Sequence, residues 1–193
     1  LPSDPEHPYL RIRFSQDTTL TTSLVGSYNA DNVMAAIAVG THFGIPFEDA
    51  CAAIAAYVPS NNRSQMTSTQ RNTLIVDAYN ANPTSMDAAL NNFASVVAER
   101  KVAMLGDMLE LGEESVAEHE SVLQKALCCG LQKLCLVGGE FCKALNDNDD
   151  DKIEHFMTSS ELAEWAQNAQ ISGAVVLIKG SRGTKMEKVI EKL

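Results

Sequence analysis

The sequence has no hydrophobic run of the roughly 18 residues that a membrane-spanning helix needs, so no span is expected. It is short of positive charge, with 15 Lys and Arg against 25 Asp and Glu and a formal net charge of -10. Nucleic acid is therefore not expected as a partner, because binding a phosphate backbone needs a basic stripe. A single phosphate ligand stays possible, since one Lys/Arg pair or a helix N-terminus is enough to hold it. The five cysteines contain no C-x-x-C pair, and Cys128 adjoins Cys129. Free thiols in a reducing cytoplasm are the expected state. The opening LPSDPEHPYLRI has neither the basic nor the apolar region of a signal peptide. Two nucleotide signatures are also missing: a P-loop, G-x-x-x-x-G-K-[ST], and a G-x-G-x-x-G turn after the first strand of the repeating part. The second absence weakens a dehydrogenase reading.

What is present describes a globular chain, 45% hydrophobic and 21% charged, able to bury a core. From about residue 70 short apolar runs alternate with amphipathic stretches. Strands are predicted at 73-TLIV-76, 101-KVAML-105, 133-KLCLV-137, 153-IEHFM-157 and 174-AVVLI-178. Helical patterns lie between them, near 83–99, 114–129, 139–146, 159–170 and 182–192. Short links between alternating elements imply right-handed crossovers. The expected fold class is α/β, a Rossmann-like, doubly wound and mostly parallel sheet of five to six strands. Ligands of such sheets sit beyond the carboxyl ends of the strands, which selects 77–83, 106–112, 138–140 and 179–183.

Residues 1–60 read differently, with strands at 9–14 and 18–25 and helices near 29–44 and 47–57. Two strands and two helices make a poor core alone. This segment is expected to be the tail of a larger domain, and residues 61–193 a separate sheet domain. The run 146-NDNDDD-151 reads as a solvated loop, lacking the glycine and terminal glutamate of a calcium loop.

Five stretches carry groups suited to chemistry. In 26-GSYNADNVMAA-36, Asn29 and Asn32 share one face of a first helical turn. Their amides suit an adenine edge, or simply cap the helix. Arg63, in the connector 59-PSNNRSQM-66, suits a phosphate or ribose contact, or plain solvation. In 77-DAYNANPTSM-86, Asn82 and Pro83 read as helix cap and first helical residue. That leaves Asp77, Tyr79 and Asn80 as surplus to a turn. In 105-LGDMLELGEES-115, Asp107, Glu110, Glu113 and Glu114 gather at the end of the second strand of the sheet. His119 follows a turn later, and histidine on an amphipathic helix is more often structural than catalytic. Finally, 178-IKGSRGTKME-187 groups Lys179, Ser181, Arg182 and Lys185 as an anion seat for a carboxylate or phosphate.

Together, 28-YNADNVMAA-36, Arg63, 77-DAYNANPTSM-86, 105-LGDMLELGEES-115 with His119, and 179-KGSRGTKME-187 resemble the carboxyl-terminal part of a Mur ligase. The match runs in the family's order across nearly the whole chain. Within the family it points to the branch that joins D-alanyl-D-alanine to UDP-N-acetylmuramoyl-tripeptide in peptidoglycan precursor synthesis. The resemblance implies an ATP- and Mg2+-dependent amide ligase that forms an acyl phosphate, is cytoplasmic and acts as a monomer. It implies that residues 1–60 end the central ATP-binding domain and that 61–193 are the Rossmann-like last domain. Asn29, Asn32, Arg63 and Asp77 would contact the nucleotide. Tyr79, Asn80, Ser85, Lys179, Ser181 and Arg182 would lie near the dipeptide. No metal ligand and no complete catalytic set is expected among these 193 residues, so the fragment alone is expected to be inactive. Two departures stand out: the family usually has His where Tyr28 stands and Gly where Asn62 stands. The rival expectation is a stand-alone flavodoxin-like binding or regulatory module, which leaves 77–86 and 179–187 as coincidence.

Overall fold

The structure, a computed structural model, describes residues 1, 7–60, 62–146 and 150–193. The expected solvated loop at 146–151 therefore falls partly outside the described residues, at 147–149. The chain divides into two compact units, Leu1–Ser60 and Asn61–Leu193.

In the first unit, β1 (Arg11–Arg13) pairs antiparallel with β2 (Thr19–Thr21). Both are shorter than predicted. The Thr22 hydroxyl and the Thr22 N–H both donate to the Leu10 carbonyl, which takes the chain out of a regular ladder there. A 3₁₀ turn at Ser27–Asn29 leads into α1 (Ala30–His42), followed by α2 (Phe47–Ala56). The core is thin: Leu10, Leu20, Val33 and Ile37, with Phe14 edge-on to Phe47 at 5.1 Å. Large apolar side chains on and after α1 stay in solvent, Phe43 at 80% exposure among them.

The second unit is a six-stranded sheet in the order β3-β4-β8-β5-β6-β7. Its strands are β3 (Gln65–Ser68), β4 (Thr73–Asp77), β5 (Lys101–Gly106), β6 (Lys133–Val137), β7 (Ile153–Phe156) and β8 (Val175–Lys179). Five run parallel; β3 alone is antiparallel, an edge strand hairpinned onto β4. The hydrophobic pattern does not announce β3, because QMTS is short, polar and covered on neither face.

Alternation along each strand supplies two core faces. Leu74, Val76, Met104, Val137, Val176 and Ile178 pack with α6 (Ser159–Ala169) and the 3₁₀ segment Met186–Lys192. The alternate buried residues, including Ile75, Leu105, Leu136 and Leu177, face the other way. There α3 (Pro83–Ser95), α4 (Ser115–Leu127) and α5 (Gly139–Leu145) pack side by side. Helices leaving adjacent strands thus go to opposite faces at β4 and β8, the kind of switch point beside which such sheets bind ligands.

Two helix ends differ from expectation. α3 stops at Ser95 because Val96 turns extended, its N–H donating to the Phe93 carbonyl, and the Lys101 ammonium donates to the carbonyls of Phe93 and Ala94, at 3.1 and 3.2 Å. The stretch 182–192 forms two 3₁₀ segments rather than an α-helix. Lys185 between them adopts φ 53°, a left-handed conformation that no helix continues through.

Candidate functional site

Parallel register makes Asp77 and Lys179 direct partners at the last rung of β4 and β8. Lys179 Nζ lies 2.6 Å from Asp77 Oδ2, with the lysine side chain 1% exposed and the aspartate 14%. The same ammonium donates to the Asn80 carbonyl at 3.2 Å, so the turn after β4 folds back over it. Asn80 Oδ1 accepts the next N–H, from Ala81, at 2.9 Å. A buried ion pair of this kind holds only where its remaining lone pairs and protons are met. Here Asp77 Oδ1 also accepts the Ser64 N–H, at 3.3 Å.

That last bond places Arg63. The Ala78 N–H donates to the Asn62 carbonyl at 2.8 Å, so two bonds clamp the connector to the end of β4, one on each side of Arg63. Asn62 and Ser64 both sit at positive φ, 57° and 48°. This accounts for Asn where the family has Gly, since Asn tolerates the left-handed region better than most residues. The clamp sets the exposed Arg63 guanidinium over the Tyr79 ring, 3.6 Å from its centroid. Arg182, from the turn after β8, approaches the same ring at 5.4 Å.

Of the residues anticipated for binding, Arg63, Asp77, Tyr79, Asn80, Lys179 and Arg182 thus converge. Ser181 and Ser85 are in other use. The buried Ser181 hydroxyl accepts the Leu109 N–H at 3.0 Å and donates to the Ala81 carbonyl at 3.4 Å, joining three loops. Ser85 closes a capping box with Asn82: its N–H donates to Asn82 Oδ1 at 2.8 Å, and its hydroxyl accepts the Asn82 N–H at 3.1 Å. In the first unit the buried Asn29 amide donates to the Val25 carbonyl at 2.9 Å, and its oxygen accepts from Asn32 at 3.3 Å. Asn32 is the exposed amide of that pair.

A second polar group stands at the ends of β5 and β6. The carboxylate of buried Asp107 accepts the Glu140 and Phe141 N–H groups, at 3.0 and 2.9 Å, and so caps α5. Its room comes from Gly138, at φ 118°, where any Cβ would collide with Asp107. Fully buried His119 accepts the Met108 N–H on Nε2 at 2.9 Å. Its Nδ1 lies 2.7 Å from the Ser115 carbonyl and can only donate there. These two bonds require the neutral, Nδ1-protonated ring. Lys143 first, then Ser115, hold the Glu140 carboxyl below the ordinary carboxylate value by hydrogen bonding to it. Beside this group, a cleft of about 400 Å³ is lined by Gly138, Met157, Thr158, Lys185 and Lys188 among others.

The family model described as "Mur ligase, glutamate ligase domain" matches residues 62–182, well over half of the chain. The chain belongs to the Mur ligase family. Curated Mur ligases agree. The UDP-N-acetylmuramoyl-tripeptide–D-alanyl-D-alanine ligase of Bacillus subtilis (strain 168) is 32% identical over 183 residues, covering 92% of this chain and 40% of that protein. The protein of the same name from Mycobacterium tuberculosis (strain ATCC 25618 / H37Rv) is 38% identical over 193 residues, covering 87% and 38%. Among solved Mur ligases, a crystal structure of MurF from Acinetobacter baumannii superposes with TM-score 0.79 at 29% identity, covering 91% of this chain and 40% of that one. The chain therefore spans about two fifths of the length of these relatives.

The Arg63–Tyr79 stack was not legible beforehand. The two residues lie in different elements and no periodicity links them. The partners of His119 and Ser181 were equally hidden, because they are backbone N–H and carbonyl groups.

Proposed function

We propose that the chain is the carboxyl-terminal part of an ATP-dependent ligase that joins D-alanyl-D-alanine to UDP-N-acetylmuramoyl-tripeptide. The observation that carries this reading is the cationic cluster at the ends of β4 and β8. There Arg63 and Arg182 flank Tyr79 while Lys179 is neutralised by Asp77. Two guanidiniums that make no ion pair among the described residues suit a reaction whose donor, intermediate and leaving group are all phosphate anions. The relatives' names supply the substrates.

In the proposed reaction a carboxylate oxygen of the tripeptide attacks the γ-phosphorus of ATP, releasing ADP and leaving an acyl phosphate. The dipeptide amine then attacks the acyl carbon. The tetrahedral intermediate loses a proton from nitrogen and expels phosphate, leaving the amide. Arg63 is assigned to the phosphate charge. Asp77 is assigned to holding Arg63 through Ser64 and to orienting Lys179. Tyr79, Asn80 and Arg182 would form the wall toward the dipeptide, and exposed Asn32, held by Asn29, would offer its amide to the adenine. Residues 1–60 are read as the end of the central ATP-binding domain. Magnesium would accompany ATP. Among the described residues no group of three or more His, Cys, Asp or Glu is arranged to hold a metal, so no step is assigned to it here.

The test is the purified full-length protein assayed for D-alanyl-D-alanine-dependent phosphate release. Amide product with stoichiometric phosphate is expected. A reading frame that starts near Leu1, or phosphate release indifferent to the dipeptide, refutes the ligase and leaves the stand-alone module.

A further inference from the structure

Lys179 and Ser181 stand on the run out of β8, and their side chains take consecutive carbonyls of the turn after β4. Lys179 Nζ donates to the Asn80 carbonyl at 3.2 Å, and Ser181 Oγ donates to the Ala81 carbonyl at 3.4 Å. The lysine also neutralises Asp77. The serine has no charge to neutralise, yet it is 4% exposed. Packing there would be served by alanine. A buried hydroxyl is tolerated only where its hydrogen bonds are made, so those bonds are what the serine adds.

Every polar group of Ser181 is engaged, and the partners lie in three different turns. Its hydroxyl accepts the Leu109 N–H at 3.0 Å and its own N–H donates to the Asp107 carbonyl at 3.1 Å, both in the turn after β5. The Ala81 bond reaches the turn after β4. The Ser181 carbonyl accepts the Thr184 N–H and hydroxyl, at 3.0 and 2.6 Å, which closes its own turn around Arg182 and Gly183. That turn lies close on bare backbone, since a Cβ on Gly106 or Gly180 would stand 2.7 Å from Thr184 Oγ1. Arg182 is exposed, but its backbone is fixed on both sides. Its guanidinium carbon lies 5.4 Å from the ring centroid of Tyr79, a residue of the turn that Ser181 holds through Ala81. One hydroxyl thus ties the mount of the arginine to the mount of the tyrosine.

We propose that Ser181 is a positioning residue, whose hydroxyl sets the spacing between Arg182 and Tyr79 and thereby the fit of that wall to the dipeptide. It acts through the arginine and touches no reacting atom. The role rests on the ligase reading for the identity of the ligand, and on geometry alone for the coupling of the two turns. Its tie to the turn after β5 runs through backbone groups of Asp107 and Leu109, so the Asp107 carboxylate takes no part in it.

In the full-length protein, initial rates are measured against D-alanyl-D-alanine at saturating ATP, and against ATP at saturating dipeptide. Ser181→Ala should raise the dipeptide KM about fivefold, the size of one neutral hydrogen bond, with kcat and the ATP KM within about twofold of the parent. Ser181→Thr keeps the hydroxyl and should restore the dipeptide KM. Arg182→Ala should raise the same KM, and Ser181→Ala added to it should change it by less than about twofold, because the serine acts through the arginine. In the 193-residue chain labelled at arginine Nε, Ser181→Ala should move the Arg182 side-chain signal in the direction that Tyr79→Leu moves it. Multiplicative effects of Ser181→Ala and Arg182→Ala on KM overturn the coupling. A kcat or ATP KM change as large as the dipeptide change, or an unmoved Arg182 signal, makes Ser181 a packing residue and overturns the proposal. A folded Ser181→Thr with the alanine variant's KM does the same. If Ser181→Thr fails to keep the parent's backbone amide spectrum, the double variant and the Arg182 signal decide. The signal needs no turnover, so a shifted Arg182 in a protein without ligase activity refutes only the ligase reading. An active ligase in which Ser181→Ala matches the parent refutes only the positioning role.

Discussion

Asp77 and Asp107 stand at equivalent places, each at the carboxyl end of a parallel strand. Their surroundings differ in one respect. Asp107 spends both oxygens on the first N–H groups of α5, and its neighbour His119 spends both nitrogens on backbone. That group closes on itself, as a helix cap does. Asp77 neutralises Lys179 and anchors Ser64, yet the arrangement it supports delivers two further cations to an exposed tyrosine. Closed polar groups hold loops in place. The group left with charge over is the one proposed above as the place for a ligand.

The comparison is broken most directly by removing Lys179. Lys179→Ala leaves a largely buried carboxylate unpaired and should cost about 3 kcal/mol, read by urea unfolding with Trp165 fluorescence. Asp77→Leu combined with Lys179→Met should recover most of the loss. Failure to recover would mean that the pair does more than neutralise itself.

Next come the opposed arginine and aspartate variants. In the full-length protein, Arg63→Ala should lower kcat/KM about 100-fold, the size of losing one donor to transition-state charge, while changing stability by less than about 0.5 kcal/mol. Asp107→Ala should do the reverse, destabilising by about 2 kcal/mol as α5 loses its acceptors. A dipeptide-specific KM change in folded Asp107→Ala would merge the two groups into one site.

A smaller effect is expected at high pH. Burial pushes the Cys135 thiol up to about 12. An unfolded thiol ionises near about 8.5, so the unfolded state gains stability above that pH while the folded thiol stays protonated. Folding stability is thus whole below about pH 8.5 and falls as pH rises toward the folded value, at up to about 1.4 kcal/mol per pH unit. The stability difference between the parent and Cys135→Val across pH 8–10.5 isolates this thiol from the other titrating groups. A flat difference would place Cys135 in contact with water.

Ser85→Ala carries the smallest change. Losing half of a capping box should cost about 1 kcal/mol, with the dipeptide KM unchanged. A raised KM at unchanged stability would return Ser85 to the substrate wall.

Much of the second unit was legible before any coordinates. Five parallel strands follow from apolar runs with short links, and the Asn82–Pro83 cap from the residue types alone. The exceptions share a cause. β3 has no buried face to pattern it, and residues 182–192 carry a helical pattern that left-handed Lys185 interrupts. Asn29 was legible as a polar group of a helix start and Ser85 only through the family resemblance, while the bonds that occupy them appear only once the chain is folded.

Local order is therefore the sequence's own achievement: periodicity of two or 3.6 decides which residues are buried, and buried faces decide strand, helix and sheet class. That ligands are to be sought at the carboxyl ends of the strands also follows, since right-handed crossovers leave few alternatives. What only tertiary structure decided is which polar residues have partners. Lys179 meets Asp77 across 102 positions of sequence, Ser181 meets Leu109 across 72, and Arg63 meets Tyr79 only because a two-bond clamp bends the connector toward β4. Hydrogen bonds and ion pairs act over about 3 Å, a distance that chain order does not encode. Closed and open polar clusters therefore look alike in one dimension and separate only in three.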